Sequence, residues 1–228
     1  MKVVGFDFGQ TLAELDYEFI AARLRERGVA FDVTQAIASS QRAWQVYGEK
    51  KSDGHALAWR AMMEEQLRGG AAPAERISEL ADWLWEEQPL KNLWRKPIPG
   101  MIELVRELRQ REVPVAIISN SEGHLAELVA ELGWASDFEV VVDSGRLGID
   151  KPDPRIFQHA CATLGASTHE LLHVGDAWEA DVMGALGAGA SAVWFDARHR
   201  ERTLPERVSG ASNASELREV LARLELLS

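Results

Sequence analysis

Val3-Val4-Gly5-Phe6-Asp7-Phe8-Gly9-Gln10-Thr11-Leu12 is an apolar run that meets a carboxylate and then turns at a glycine. Residues 3–8 are almost continuously apolar rather than alternating, the pattern of a strand buried on both faces, as in parallel sheets. Comparable runs recur at 115–118, 138–142, 171–174 and 192–195. Helical periods separate them: Ile102, Val105 and Leu108 on one face, then 125–132, then Ile156, Phe157, Ala160, Cys161 and Leu164. A further helix runs through Val182, and a closing one carries Leu217, Val220, Leu221 and Leu224. Strand and helix in alternation predict an α/β core, and right-handed crossovers bring the carboxyl ends of the strands to one edge.

The stretch between the first strand and Pro97 differs. It shows helical periods at 17–27, 33–47, 54–67 and 74–85, punctuated by Gly69-Gly70 and Pro73, with no clear strand, and Pro97, Pro99 and Gly100 close it. The expected organisation is a core of residues 1–13 and 98–228 with an α-helical cap, 14–97, inserted beside the ligand-binding edge. Its tryptophans (Trp44, Trp59, Trp83, Trp85 and Trp94) read as anchors of that small unit's own core.

At 228 residues with 46% hydrophobic content the chain can bury a substantial core. A single cysteine, Cys161, forbids an internal disulfide, and its place on an apolar helix stripe makes it a packed thiol. Neither a signal-peptide core nor a run of roughly 18 apolar residues is present, so no membrane span and a cytoplasmic location are expected. The formal charge of −11 argues against nucleic acid as a partner. The basic run Arg198, His199, Arg200, Arg202 is interleaved with acids and reads as a solvated loop.

Asp7, Ser119, Lys151 and the pair Asp176/Asp181 would meet at the strand edge. A carboxylate such as Asp7 can attack phosphorus and form an aspartyl phosphate that water later hydrolyses. Two anions approach only with a cation between them. One oxygen of Asp7, the backbone carbonyl of Gly9 and Asp176 suit Mg²⁺, with Asp181 a direct ligand or just behind. The Ser119 hydroxyl and Asn120 amide could hold phosphate oxygens, and the Lys151 ammonium would offset the crowding of negative charge. Each residue alone has a plainer account, helix capping for Asp176 and Ser119 and solvent exposure for Lys151; the set argues for phosphate chemistry.

Together the segments at 3–12, Ile118-Ser119-Asn120-Ser121, Lys151-Pro152-Asp153-Pro154 and Val174-Gly175-Asp176 through Asp181 resemble the haloacid dehalogenase-like hydrolase superfamily, in its helical-cap subgroup. That resemblance implies a Rossmann-like core, dependence on Mg²⁺ and hydrolysis of a small phosphorylated substrate. It assigns the nucleophile to Asp7, the second-motif hydroxyl to Ser119, the lysine to Lys151 and the metal acids to Asp176 and Asp181. The first motif is degenerate: family phosphatases carry a second aspartate, a general acid and base, where this chain has Gly9. Such a group contributes about 10²–10⁴-fold, so a slow enzyme or one selective for good leaving groups is expected. Glu14 and Asp16 are candidate substitutes.

Rival readings are a non-catalytic member that binds a phosphorylated ligand or a protein, a phosphonate hydrolase using a cap lysine (Lys50, Lys51 or Lys91), and a metal-free haloacid dehalogenase. Trp178 could edge the entrance and His124 could touch the pocket, whereas His173, inside a strand, reads as a core residue.

Overall fold

The computed structural model describes residues 2–50, 54–196 and 203–227. Lys51, Ser52 and Asp53, and the basic run Arg198, His199, Arg200 and Arg202, lie outside the described residues. The chain divides into two compact units, Met1–Glu14 with Trp94–Ser228, and Leu15–Leu93.

The first unit is built on a six-stranded sheet ordered β5-β4-β1-β6-β7-β8: β1 Val3–Phe6, β4 Val115–Ser119, β5 Val140–Asp143, β6 Leu171–Gly175, β7 Ser191–Phe195 and β8 Val208–Ala211. Every pair in it is parallel. Side chains alternate across it, so each apolar run feeds two cores. Val4, Phe6, Ile117, Leu172, Val174 and Val193 pack under α5 (Met101–Gln110), α6 (Leu125–Glu131) and α10 (Ala214–Arg223). Val3, Ala116, Ile118, Leu171 and Ala192 pack under α8 (Pro154–Thr163), together with Val182 and Ala185. This is a Rossmann-like α/β arrangement, and its two covered faces explain why the strands read as continuous apolar runs. Cys161 of α8 is buried here, which pushes its thiol up to about 11 and leaves it a packing group.

Several elements depart from the sequence expectation. The first strand ends at Phe6, because Phe8 to Ala13 form a tight turn in which Leu12 and Ala13 donate back to the Phe8 carbonyl. Two short strands, β2 (Ala13–Leu15) and β3 (Trp94–Pro97), pair as a separate ribbon, and β8 adds an edge strand. The helix expected through Val182 opens as a π-helical turn, Trp178–Met183, followed by the short α9, Gly184–Gly187.

The second unit is helical: α1 Tyr17–Glu26, α2 Val33–Lys50, α3 His55–Gly69 and α4 Ile77–Glu87. Asp16 caps α1 by accepting from the Phe19 amide at 2.9 Å. Trp59 is fully buried with Trp85 at 5.2 Å, and the guanidinium groups of Arg23 and Arg27 stack on Trp83 at 4.7 and 4.6 Å. Trp59 thus packs this unit's interior, while Trp83 and Trp85 are half-buried at its margin.

The loop after β4 is tied down by one buried carboxylate. Asp143, ending β5, accepts from the amides of Gly123 (3.1 Å), Leu125 (2.9 Å) and Gly145 (2.9 Å). Asp143→Ala would leave those amides without an acceptor and is expected to lower the unfolding free energy by about 2–4 kcal/mol. Urea denaturation measures this, and an unchanged midpoint would contradict the role given to Asp143.

Candidate active site

Strand β1 lies between β4 and β6, with Phe6 level with Ile117 on one side and Val174 on the other. The residues just past these strands therefore share one edge. The Asp7 amide still bonds the Val174 carbonyl at 2.8 Å, so its side chain leaves the sheet from a fixed backbone. Ser119 closes β4 and donates its hydroxyl to Asp7 Oδ1 at 2.8 Å. Lys151 arrives from the loop before α8 and donates to the same Asp7 oxygen at 2.7 Å and to Asp181 Oδ1 at 2.5 Å.

Lys151 is positioned through its main chain. Its amide donates to Asn120 Oδ1 at 2.7 Å and its carbonyl accepts from Asn120 Nδ2 at 3.0 Å. The Asn120 side-chain carboxamide thus clasps the lysine loop. Asp181 is held from three directions: besides Lys151, the Ala177 amide donates to Oδ2 at 2.8 Å and His173 Nε2 donates to Oδ1 at 3.0 Å. A β-carbon on Gly175 would fall 2.2 Å from Asp181 Cγ, so only glycine lets this carboxylate fold back over the strand end. Asp176 is half-buried, and its carbonyl accepts from Trp194 Nε1 at 3.0 Å. Trp178 packs edge-on against Trp194, 5.0 Å between ring centres, beside Asp176.

Charge follows from this packing. Burial pushes Asp7 above the ordinary carboxylate range, and the neighbouring Asp181 adds to that push against the pull of Lys151 and Ser119. Burial alone would lower Lys151, but its two carboxylate partners outweigh it and hold the ammonium charged. Asp181 is driven well below its usual value by Lys151 and His173 in spite of its burial. His173 is lowered by burial, so it is a neutral donor to Asp181 rather than a cation.

Carboxylate oxygens of Asp7, Asp176 and Asp181 lie within 4.8 Å of one another. With Lys151 as the ammonium among them, the ionised set carries an excess of negative charge that a hard divalent cation would neutralise, and an all-oxygen donor set suits Mg²⁺. Gly9 sits two residues beyond Asp7 in the turn, bridged to Ala13.

Of the residues nominated from sequence, Asp7, Ser119, Lys151, Asp176 and Asp181 come together. His124 is exposed at the start of α6. Glu14 pairs with Lys96 at 2.8 Å, and Asp16 is the α1 cap. Sequence reasoning passed over the bond from His173 to Asp181. The only signal was a histidine inside an otherwise apolar strand.

The family model for haloacid dehalogenase-like hydrolases matches residues 1–189. A phosphoserine phosphatase of Thermus thermophilus is 36% identical over 138 residues, 60% of this chain and 53% of that protein. Haloacid dehalogenase-like hydrolase domain-containing protein 3 of Mus musculus is 27% identical over 83% of this chain and 79% of its own length. A pyrimidine 5'-nucleotidase of Escherichia coli is 32% identical over 54% of this chain and 55% of that protein. The chain thus spans about half the length of the phosphatase and the nucleotidase. Among solved structures, a putative HAD-hydrolase from Bacillus subtilis bound to magnesium superposes with a TM-score of 0.67 at 20% identity, over 96% of this chain and 98% of that one. A 2-haloacid dehalogenase from Pseudomonas syringae gives 0.62 at 22%, over 98% and 99%. At these identities the likeness is one of fold.

The Gly175 contact has a direct consequence. Gly175→Ala is expected to displace Asp181 and destabilise the chain by about 1–3 kcal/mol. Gly187→Ala, with open space around it, serves as the silent control. Equal urea midpoints for the two variants would contradict the packing described.

Proposed function

The chain belongs to the haloacid dehalogenase-like hydrolase family, and on that premise we propose that it is a Mg²⁺-dependent phosphohydrolase acting on a small phosphorylated molecule through Asp7. The observation that carries this is the Asp7 carboxylate, aligned by Ser119 and Lys151 and set beside Asp176 and Asp181. The phosphatase and nucleotidase relatives support the reaction class.

In this reading Asp7, the Gly9 carbonyl and Asp176 hold the cation, with Asp181 as a further ligand or as the anchor behind it. The bound cation supplies positive charge between two anions, the carboxylate and the phosphate. Ser119 and Lys151 fix the plane of Asp7 and present donors to phosphate oxygens. Asp7 attacks phosphorus and the bond to the leaving oxygen breaks. Water then attacks the aspartyl phosphate, releasing phosphate and restoring the carboxylate. Asn120, His173 and Asp181 act through Lys151, keeping its ammonium in one place. The helical unit Leu15–Leu93 serves as the cap that selects the substrate. No helix among the described residues is long and apolar enough to cross a membrane. A cytoplasmic setting is part of the same proposal.

Asp7→Asn keeps the shape but removes the nucleophile, so hydrolysis of a phosphate-ester panel is expected to fall to background. Hydrolysis surviving that change would refute the covalent route. Chelation by EDTA is expected to stop turnover and Mg²⁺ to restore it. Halide release from haloacids that persists in EDTA would instead assign the chain to dehalogenation. Ligand binding without turnover would assign it to the non-catalytic class.

A further inference from the structure

The backbone does not demand glycine at position 145. Its φ lies outside the left-handed region, and it sits in the short α7, Ser144–Leu147, where alanine is ordinarily the better residue. What demands glycine is a close approach between two stretches of main chain. A β-carbon at 145 would lie 2.6 Å from the Gly123 nitrogen, 2.6 Å from the Ser121 oxygen and 2.8 Å from the Glu122 carbonyl carbon, well inside the 3.4 Å at which ordinary contact begins. These are backbone atoms with no rotamer to turn away, so an added methyl would displace the loop itself. The turn after β5 grips that loop residue by residue. Besides the Asp143 carboxylate, the buried Ser144 hydroxyl accepts from the Ser121 amide at 3.1 Å and donates to its carbonyl at 3.4 Å. Arg146 Nε donates to the Gly123 carbonyl at 2.6 Å, and its guanidinium pairs with Glu127. Gly145 is where the two main chains touch.

We propose that Gly145 is a positioning residue for Lys151: the close approach it allows fixes the loop 120–123, and Asn120 passes that position on to the lysine. The inference rests on Lys151 serving the reaction at Asp7. Ser119 is still paired in register with Asp143, so it stays with the sheet whatever the loop does. Asn120 is the first residue beyond the strand and has no such support. Its carboxamide carries both bonds to the Lys151 main chain, at 2.7 and 3.0 Å, so a loop pushed away from Gly145 draws on that clasp. At the far end the ammonium reaches Asp7 at 2.7 Å and Asp181 at 2.5 Å, with no slack to absorb a shift. Misplacement of a reacting group by about 1 Å costs up to about 10²-fold in rate.

The test combines kcat/KM for para-nitrophenyl phosphate, measured with Mg²⁺, and residue-resolved amide exchange, both on the whole chain. Gly145→Ala is expected to lower kcat/KM by about 10–10²-fold. In the same variant the Lys151 amide, bonded to Asn120, is expected to exchange about 10-fold faster, while the Asp7 amide, bonded to Val174, keeps its rate. Gly187→Ala, with open space around it, is expected to change neither. Added to Asn120→Ala, Gly145→Ala is expected to cost less than about 2-fold more in kcat/KM, because the link it acts through is already cut. A general weakening of the fold would multiply the two losses. Ser144→Ala, which frees the Ser121 main chain without adding bulk, carries the same comparisons if Gly145→Ala does not fold. An unchanged Lys151 amide, equal acceleration at Asp7, an unchanged kcat/KM or multiplied losses would overturn the role of Gly145. A wild-type chain that does not hydrolyse para-nitrophenyl phosphate would instead overturn phosphoryl transfer at Asp7, and exchange at Lys151 would still decide how the lysine is held.

Discussion

The ammonium of Lys151, with 2% of its side chain exposed, is shared between Asp7 and Asp181. A charge buried so deeply is tolerated only with partners in good geometry, and removing one partner from such a group costs about 3–5 kcal/mol. Much of the edge of the sheet serves this contact. Asn120 holds the lysine by its backbone, and His173 and the Ala177 amide hold Asp181. Gly175 leaves room for the carboxylate, and Ser119 shares the Asp7 oxygen that Lys151 addresses. The strand order matters for the same reason. With β1 between β4 and β6, groups distant in sequence arrive on adjacent strands, and the remaining loop need only deliver one lysine.

This dependence also orders the nominated residues by what they can do. Asp181 uses both carboxylate oxygens on protein donors, which makes it the lysine's anchor before it is anything else. Asp176 is less enclosed and sits beside the Trp178–Trp194 pair, better placed to face an incoming ion. Ser119 and Asp7 form the part that a phosphate would meet in the proposed reaction.

The parallel sheet and the convergence of four short segments were legible because both leave local marks. A strand covered on both faces must be apolar at nearly every position, as in Val3–Phe6 and Val115–Ser119, and a functional group at its end stands out against that run. The four helices of residues 17–87 were legible for the same reason, through their 3.6-residue period. What escaped lacks such a mark. Strand β8, Val208-Ser209-Gly210-Ala211, is short and half-buried and exists through its pairing with β7. The partnership of His173 with Asp181 and the clasp of Asn120 on Lys151 are tertiary facts. They join residues whose neighbours in sequence say nothing about one another.

Cys161 is the chain's one thiol, and it lies on the buried face of α8 with its ionisation suppressed. That makes the native protein a quiet background for labelling. A cysteine placed on the surface of the helical unit would react with a maleimide dye while Cys161 stays inert. A second dye introduced by other chemistry on the sheet-bearing unit would complete a spectroscopic ruler. Energy transfer between the two would then follow, in solution and molecule by molecule, how the halves of this chain respond when a phosphate mimic is added.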